Sequence, residues 1–377
     1  MPMVPKLAYR NLFHDRLSLV VTLVGIVFSV VLVAVLCGIY LGMEARIAAM
    51  LDHSETDLWV IPIGTKSFDE PSLLAGREKH PILSTPGVAG ADELVVGFVS
   101  WRKSSGGTTV ALLVGSDTRH NTSLPWDIVE GRVADLSAPS AIAIDKTYFK
   151  ELGIERLGDR AEINNTEVKV AVVTEGIRSF TTLPYIFSTL ATGRALLDAT
   201  PDQASYRMVK VAPGSDVETV RKALQARLPD AEVVTHKEFR TRSLDYWLLE
   251  TGAGSAVIAA ALLGIVVGVV VVAQTLYAST KDHLNEFATM RALGASSRYI
   301  IKVILIQAIL SAVIGYALGI VIAQAVIWAS SGGTLLILMT PNLAMALFAL
   351  TVGMCIFAAV CAIFKVIRID PAVVFSR

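Results

Sequence analysis

Four long apolar stretches, at residues 17–42, 253–279, 302–329 and 341–364, dominate the pattern of the chain. A helix needs about 20 apolar residues to cross the hydrocarbon core of a bilayer, and each stretch reaches that length. The pattern therefore predicts four transmembrane helices. The first stretch is longer than the apolar region of a signal peptide and has no small-residue cleavage site, so we expect it to remain as a span.

Residues 43–252, between the first two spans, have the pattern of a folded domain. Runs rich in Val, Ile, Thr and aromatic residues predict strands at 57–63, 95–101, 108–115, 141–145, 161–174, 185–190 and 206–212. Helices are predicted at 43–51, 146–152, 193–198, 215–228 and 237–249. Strands interleaved with helices indicate one or two α+β lobes. The expected fold is a membrane protein with four transmembrane α-helices and a large extracytoplasmic α+β domain inserted between the first and second.

Composition excludes several functions. The 377 residues carry a formal net charge of zero, so nothing indicates nucleic-acid binding. Cys37, Cys355 and Cys361 all lie in apolar stretches, which argues against disulfides and thiol metal sites. The spans contain almost no charge, whereas ion-coupled carriers place ionisable groups at depth. An ion-coupled carrier or channel is therefore disfavoured.

Positive charge outside the spans indicates their orientation. Each of the short segments 1–16, 280–301 and 365–377 carries three lysines or arginines, whereas residues 330–340 contain neither. The positive-inside rule assigns the three basic segments to the cytoplasm. Both chain termini are therefore expected in the cytoplasm, with residues 43–252 and the 330–340 hairpin on the other side of the membrane.

The pattern predicts a short amphipathic helix in the loop 280–301. Leu284, Phe287, Ala288 and Arg291 share one helical face, and Gly294 is placed to end the helix. Such a helix is either a contact for a soluble partner or an ordinary turn anchored by positive charge. The pattern alone leaves both interpretations open.

Two glycine pairs in the spans favour close helix packing. Gly264 and Gly268 are four residues apart, as are Gly315 and Gly319, and this spacing lets helix backbones approach each other. The spacing predicts close helix packing, either between helices of one chain or at a dimer interface.

No catalytic constellation is present in the sequence. It lacks the P-loop, H-E-x-x-H and G-x-S-x-G motifs, and its histidines are scattered. Asp117, His120 and Ser123 lie close in sequence, but a chance grouping in a polar loop explains them better than a triad. We expect no catalytic, cofactor-binding or metal site in this chain.

Three local motifs, together with this topology, resemble the MacB/FtsX-type permeases of ABC transporters, also called the type VII or mechanotransmission class. Residues 7–12 (LAYRNL) and 23–26 (LVGI) resemble the family's basic lead-in to the first span. Residues 286–295 (EFATMRALGA) resemble its coupling loop, and residues 368–372 (RIDPA) resemble its C-terminal ending. Because no ATPase is fused to the chain, it looks closer to the DevC-like branch than to MacB itself.

The resemblance implies a non-catalytic permease subunit of the bacterial inner membrane. Its implied partners are two copies of an ABC ATPase that hold ATP and Mg²⁺, a second permease copy or a paralogue, and a periplasmic membrane-fusion adaptor of the HlyD-like type. The implied activity is export of a hydrophobic or amphipathic compound; the alternatives are FtsX-like signalling to a cell-wall hydrolase and lipoprotein release. The implied ATPase-coupling residues are Glu286, Phe287, Met290, Arg291, Leu293 and Gly294.

Overall fold

The computed structural model describes residues 9–10, 12–14, 16–103, 106–117, 125–282, 297–330 and 336–367. The chain forms two compact units. The membrane unit comprises residues 1–42 and 253–377, and the inserted unit comprises residues 43–252.

Helices occur in both units. They are α1 (Arg16–Asp52), α2 (Lys79–Leu83), α3 (Phe149–Leu152), α4 (Leu190–Leu196), α5 (Val217–Arg227), α6 (His236–Asp245), α7 (Ala253–Asp282), α8 (Ser297–Ala329) and α9 (Pro341–Ile367). Short 3₁₀ helices cover Val133–Ser137 and Lys146–Tyr148, and one π-helical turn covers Tyr246–Glu250. Among the described residues, α1, α7, α8 and α9 are long and apolar enough to cross a membrane.

The strands belong to the inserted unit. They are β1 (Leu58–Pro62), β2 (Val88–Arg102), β3 (Thr108–Ser116), β4 (Ile128–Glu130), β5 (Ala141–Asp145), β6 (Arg160–Ile163), β7 (Thr166–Thr174), β8 (Tyr185–Thr189), β9 (Tyr206–Val211) and β10 (Ala231–Thr235). Four membrane-crossing helices with an α+β unit between the first two confirm the predicted fold class.

A single sheet organises the inserted unit. Its strand order is β10-β1-β9-β2-β3-β8-β5-β7-β4, and β6 pairs with both β2 and β7. Strand β6 thereby closes β2, β3, β8, β5 and β7 into a six-stranded ring. Strands β9, β1 and β10 extend from β2 as an antiparallel wing. The long strand β2 serves both parts, because it pairs with β9 along one edge and with β3 along the other.

Side chains alternate across the sheet and form separate cores on its two faces. Val99 and Trp101 of β2 join a cluster of ring residues that includes Ile144 of β5. On the opposite face, Leu94 and Val96 pack into a second core. A third core lies between the wing and α5.

Three features of the strands differ from the sequence predictions. The strand predicted at 161–174 is two strands, because Asn164 and Asn165 adopt φ angles of +46° and +67° and form a hairpin turn. Strands β4 and β10 are not predicted from the sequence. Strand β2 begins at Val88 rather than at residue 95, because pairing with β9 outweighs the weak strand preference of the glycine and acidic residues before Leu94.

Candidate functional site

The chain joins its two units twice, and the two connections have different structures. Helix α1 runs unbroken from Arg16 to Asp52, so it begins in the membrane unit and ends in the inserted unit. The return connection runs through α6 and the π-helical turn to Gly252, where a φ of +79° interrupts the helix before α7 begins. The first connection is one continuous helix, whereas the second contains a bend. Single π-helical turns occur frequently at functional sites.

The last turns of α1 are embedded in the core of the inserted unit. Met50 and Leu51 are 1% and 0% exposed and belong to the same core as Trp59 and Phe239. Full burial of an apolar side chain of this size contributes about 1.5–3 kcal/mol. The end of α1 is thus fixed to the sheet and to α6, which carries Phe239.

Salt bridges add to this attachment. Arg240 of α6 places Nε 2.8 Å from Asp52 Oδ1 and a terminal nitrogen 3.5 Å from Glu44 Oε1, so it contacts α1 at two positions. Helix α6 begins with a capping box, in which the Thr235 side chain accepts from the Glu238 amide at 3.1 Å and Glu238 accepts from the Thr235 amide at 2.8 Å. The outgoing and returning helices are therefore tied together inside the inserted unit.

Residues 63–73, which follow β1, form a segment that we call the strap. Its polar side chains hold the π-helical turn: Lys66 Nζ lies 3.0 Å from Glu250 Oε2, and the Tyr246 hydroxyl donates to Glu70. The Lys66 ammonium also lies 5.0 Å from the centre of the Tyr246 ring. The strap thus contacts the turn that precedes α7.

The other side of the strap enters the core. Phe68 is 2% exposed and packs against Trp59 and Tyr206, and the Tyr206 hydroxyl donates to the Phe68 carbonyl at 3.0 Å. Asp69 is 5% exposed and accepts a 2.6 Å hydrogen bond from the Tyr185 hydroxyl. Burial raises the pKa of Asp69 to about 6, although the hydrogen bond from Tyr185 acts in the opposite direction. A buried acid is therefore the immediate chain neighbour of Glu70, which contacts the turn.

The predicted coupling residues lie outside the described part of the chain. These are Glu286, Phe287, Met290, Arg291, Leu293 and Gly294. Of the loosely grouped Asp117, His120 and Ser123, only Asp117 is among the described residues. Within the described ranges, His, Cys, Asp and Glu side chains form no group of three or more that could hold a metal ion.

The four glycines of the two predicted pairs lie against α1 of the same chain. A Cβ added at Gly264 would meet the Leu32 side chain at 2.9 Å, and one added at Gly315 would meet the Ile26 side chain at 2.5 Å. Gly319 lies against Val30 in the same way, at 2.8 Å. Gly268 faces Ser29 of α1 and, from α9, Met354. The glycines therefore let α7 and α8 pack closely against α1.

Sequence reasoning does not single out the strap. A loop containing lysine and consecutive acidic residues has the pattern of a solvated turn. The hydrogen-bond partner of Asp69, Tyr185, lies 116 residues later in the chain, so only the folded structure brings the two together. The one local signal is Phe68, a large apolar residue between polar neighbours.

Comparison with known proteins identifies the family. The profile of the MacB-like periplasmic core domain matches residues 19–227, and that of the FtsX-like permease C-terminal domain matches residues 258–371. The chain belongs to the MacB/FtsX family of ABC-transporter permeases. This confirms the family predicted from its motifs and topology, and the protein is a multi-pass membrane permease.

Several relatives resemble this permease. An uncharacterised ABC transporter permease of Mycobacterium tuberculosis is 24% identical over 383 residues, covering 98% of each chain. One from Mycobacterium bovis is 23% identical over 372 residues, covering 96% of this chain and 95% of the relative. The periplasmic region of MacB from Actinobacillus actinomycetemcomitans matches by structure with 13% identity and a TM-score of 0.39, covering 51% of this chain and 94% of that one.

Proposed function

We propose that this permease couples ATP hydrolysis by a separate ABC ATPase to a conformational change of the inserted unit, and thereby exports a hydrophobic or amphipathic compound. The observation that carries the proposal is the unbroken helix α1, whose far end is buried in the core of the inserted unit. A helix fixed in this way transmits displacement along its length. The nearly charge-free spans support an energy source other than an ion gradient.

The proposed assembly rests on the resemblance to the DevC-like branch. Two ATPase copies, which carry ATP and Mg²⁺, dock on residues 286–294 of two permease copies, as in the DevC-like branch. A periplasmic adaptor of the HlyD-like type receives the exported compound. The permease resides in the inner membrane with both termini in the cytoplasm, because its basic segments lie at residues 1–16, 280–301 and 365–377.

Co-purification identifies the partner proteins and thereby tests whether the permease acts in export. After gentle extraction from native membranes, we expect mass spectrometry to find an ATPase and a periplasmic adaptor with the permease. Recovery of a cell-wall hydrolase in place of the adaptor indicates the signalling alternative, and recovery of a lipoprotein chaperone indicates lipoprotein release. If no ATPase is recovered even after cross-linking through residues 281–294, the coupling proposal is wrong.

The double variant Glu286→Ala with Arg291→Ala tests the coupling loop. We expect permease-stimulated ATP hydrolysis to fall by at least about tenfold, because a hydrogen bond to a charged group contributes about 1.5–3 kcal/mol. The matched control is Arg298→Ala, which removes an exposed cation that lies beyond the motif. Unchanged stimulation and unchanged assembly in the double variant would contradict the assignment.

A further inference from the structure

We propose that Asp69 is a proton-binding site that sets how firmly the strap holds the π-helical turn before α7. Protonation fastens the strap, and loss of the proton loosens it. The inference concerns the inserted unit alone and stands independently of the ATPase coupling proposed above.

The Asp69 carboxyl lies in a largely apolar environment. Asp69 is almost fully buried in a core lined by Phe68 and Tyr206, and its hydrogen-bond partner among the described residues is the Tyr185 hydroxyl. An ionised carboxylate is costly to bury without compensating partners, whereas a neutral carboxyl is not. The proton therefore stabilises the inserted position of Asp69.

Three tyrosines and one acidic residue surround this carboxyl or its hydrogen-bond partner. Tyr185 on β8 and Tyr206 on β9 face it from the sheet, Tyr148 is near Tyr185, and Glu70 is its acidic neighbour on the strap. Burial and, to a smaller extent, repulsion from Glu70 raise the pKa of Asp69, the Tyr185 hydrogen bond lowers it, and the net pKa is about 6. The charge of Asp69 therefore changes close to neutral pH.

The strap connects Asp69 to the π-helical turn. Lys66 and Glu70, which hold Glu250 and Tyr246, lie within three residues of Asp69 on the same strap. If Asp69 leaves the core, its immediate neighbour Glu70 moves with it and loses Tyr246. The state of the buried acid is thus transmitted to the bend in the second connection between the units.

The direction of the pH effect follows from the raised pKa. The ordinary pKa of Asp is near 3.9, so the inserted state binds a proton more tightly than the released state does. The strap is therefore most easily released above pH 6 and becomes progressively more firmly held as the pH falls below that value.

Hydrogen exchange of the full chain in lipid nanodiscs tests the proposal. After correction for the intrinsic exchange rate, we expect the opening constant of peptides from 63–73 and 246–252 to fall on the order of tenfold between pH 7.5 and pH 5. Peptides from β5, a strand of the ring, should show no such change in the opening constant.

Three variants make the test specific. Asp69→Asn removes the titrating group and should make both peptides independent of pH. Tyr185→Phe removes the hydrogen bond that favours the ionised form of Asp69, so the change in the opening constant should move to higher pH. If Asp69→Asn does not fold, Tyr185→Phe still tests the proposal. Asp230→Asn, which changes an exposed acid, should behave as the wild type.

Two results overturn the proposal. The first is a wild-type pH dependence in Asp69→Asn, because the titrating group then lies elsewhere. The second is a response of residues 63–73 without one at 246–252, because the strap then does not hold the turn.

Discussion

Replacing Arg207 with alanine should lower the free energy of unfolding of the inserted unit by about 3–5 kcal/mol. Arg207 is 1% exposed on β9, and its guanidinium pairs with Glu93 of β2. It also lies 3.7 Å from Glu78 and donates to the Asp202 carbonyl at 2.9 Å. Its removal leaves buried carboxylates without their principal cation, which is the costly way to break a buried ion pair.

The pH dependence of this loss has a definite sign. Burial raises the pKa of Glu93, but Arg207 and Arg194 outweigh that effect and hold it below its usual value. A depressed pKa contributes stability above the unfolded value, near 4.3, and that contribution is lost as the pH falls. The difference between wild type and Arg207→Ala should therefore be largest near neutral pH and should narrow in acid.

Denaturant unfolding of the full chain in nanodiscs, followed by tryptophan fluorescence, measures this effect, because Trp59 and Trp101 are both fully buried in the inserted unit. Arg160→Ala is the matched control. It breaks an exposed 2.7 Å pair with Glu167, and screening by solvent limits the loss to less than about 1 kcal/mol. Equal losses in Arg207→Ala and Arg160→Ala would show that the buried network does not hold the wing to the ring.

A paired substitution separates charge from packing. Arg207→Met together with Glu93→Met replaces the principal ion pair with apolar side chains of similar length. Because such replacements of buried pairs are often neutral or stabilising, the double variant should recover much of the stability lost in Arg207→Ala. Glu78 and Arg194 remain in the cluster, so recovery is expected to be incomplete.

The membrane architecture is predictable from sequence because its cause is local. A span needs only length and apolarity, both of which are properties of a continuous stretch. Most strands of the inserted unit are predictable for a similar reason, since β-branched and aromatic residues mark them. The closed ring is not predictable in this way. It depends on β6, a four-residue strand that pairs with β2 some sixty residues earlier in the chain.

The partners of the buried polar groups are likewise not predictable from local sequence. Arg207 shares its face of β9 with Val209 and Val211, so a charged residue on an apolar face is a visible anomaly in the sequence. Its partner Glu93 is 114 residues away, and no local pattern identifies it. The coupling residues present the opposite case. Their motif is distinct in sequence, while residues 283–296 lie outside the described part of the chain.

Gly315→Ala should destabilise the packing of the spans by about 1–3 kcal/mol. The added Cβ would lie 2.5 Å from Cγ2 and 2.8 Å from Cβ of Ile26, a fully buried α1 residue. These distances are shorter than van der Waals contact, so α1 and α8 must move apart or Ile26 must change its conformation. Neither adjustment is easy, because Ile26 is β-branched and lies within the main core of the membrane unit.

Gly353→Ala is the matched control, because a Cβ at that position of α9 has no neighbour within 4 Å in the part of the chain that the structure describes. Thermal unfolding in nanodiscs should therefore place Gly315→Ala several degrees below Gly353→Ala. Gly315→Ala should cost less stability in an Ile26→Ala background than in the wild type, since Ile26→Ala removes the side chain that the new Cβ meets, although Ile26→Ala is itself destabilising. Equal stability of Gly315→Ala and Gly353→Ala would mean that α1 is loosely held by α8. In that case a displacement of α8 would not have to move α1, and the coupling proposed for this permease would need another route.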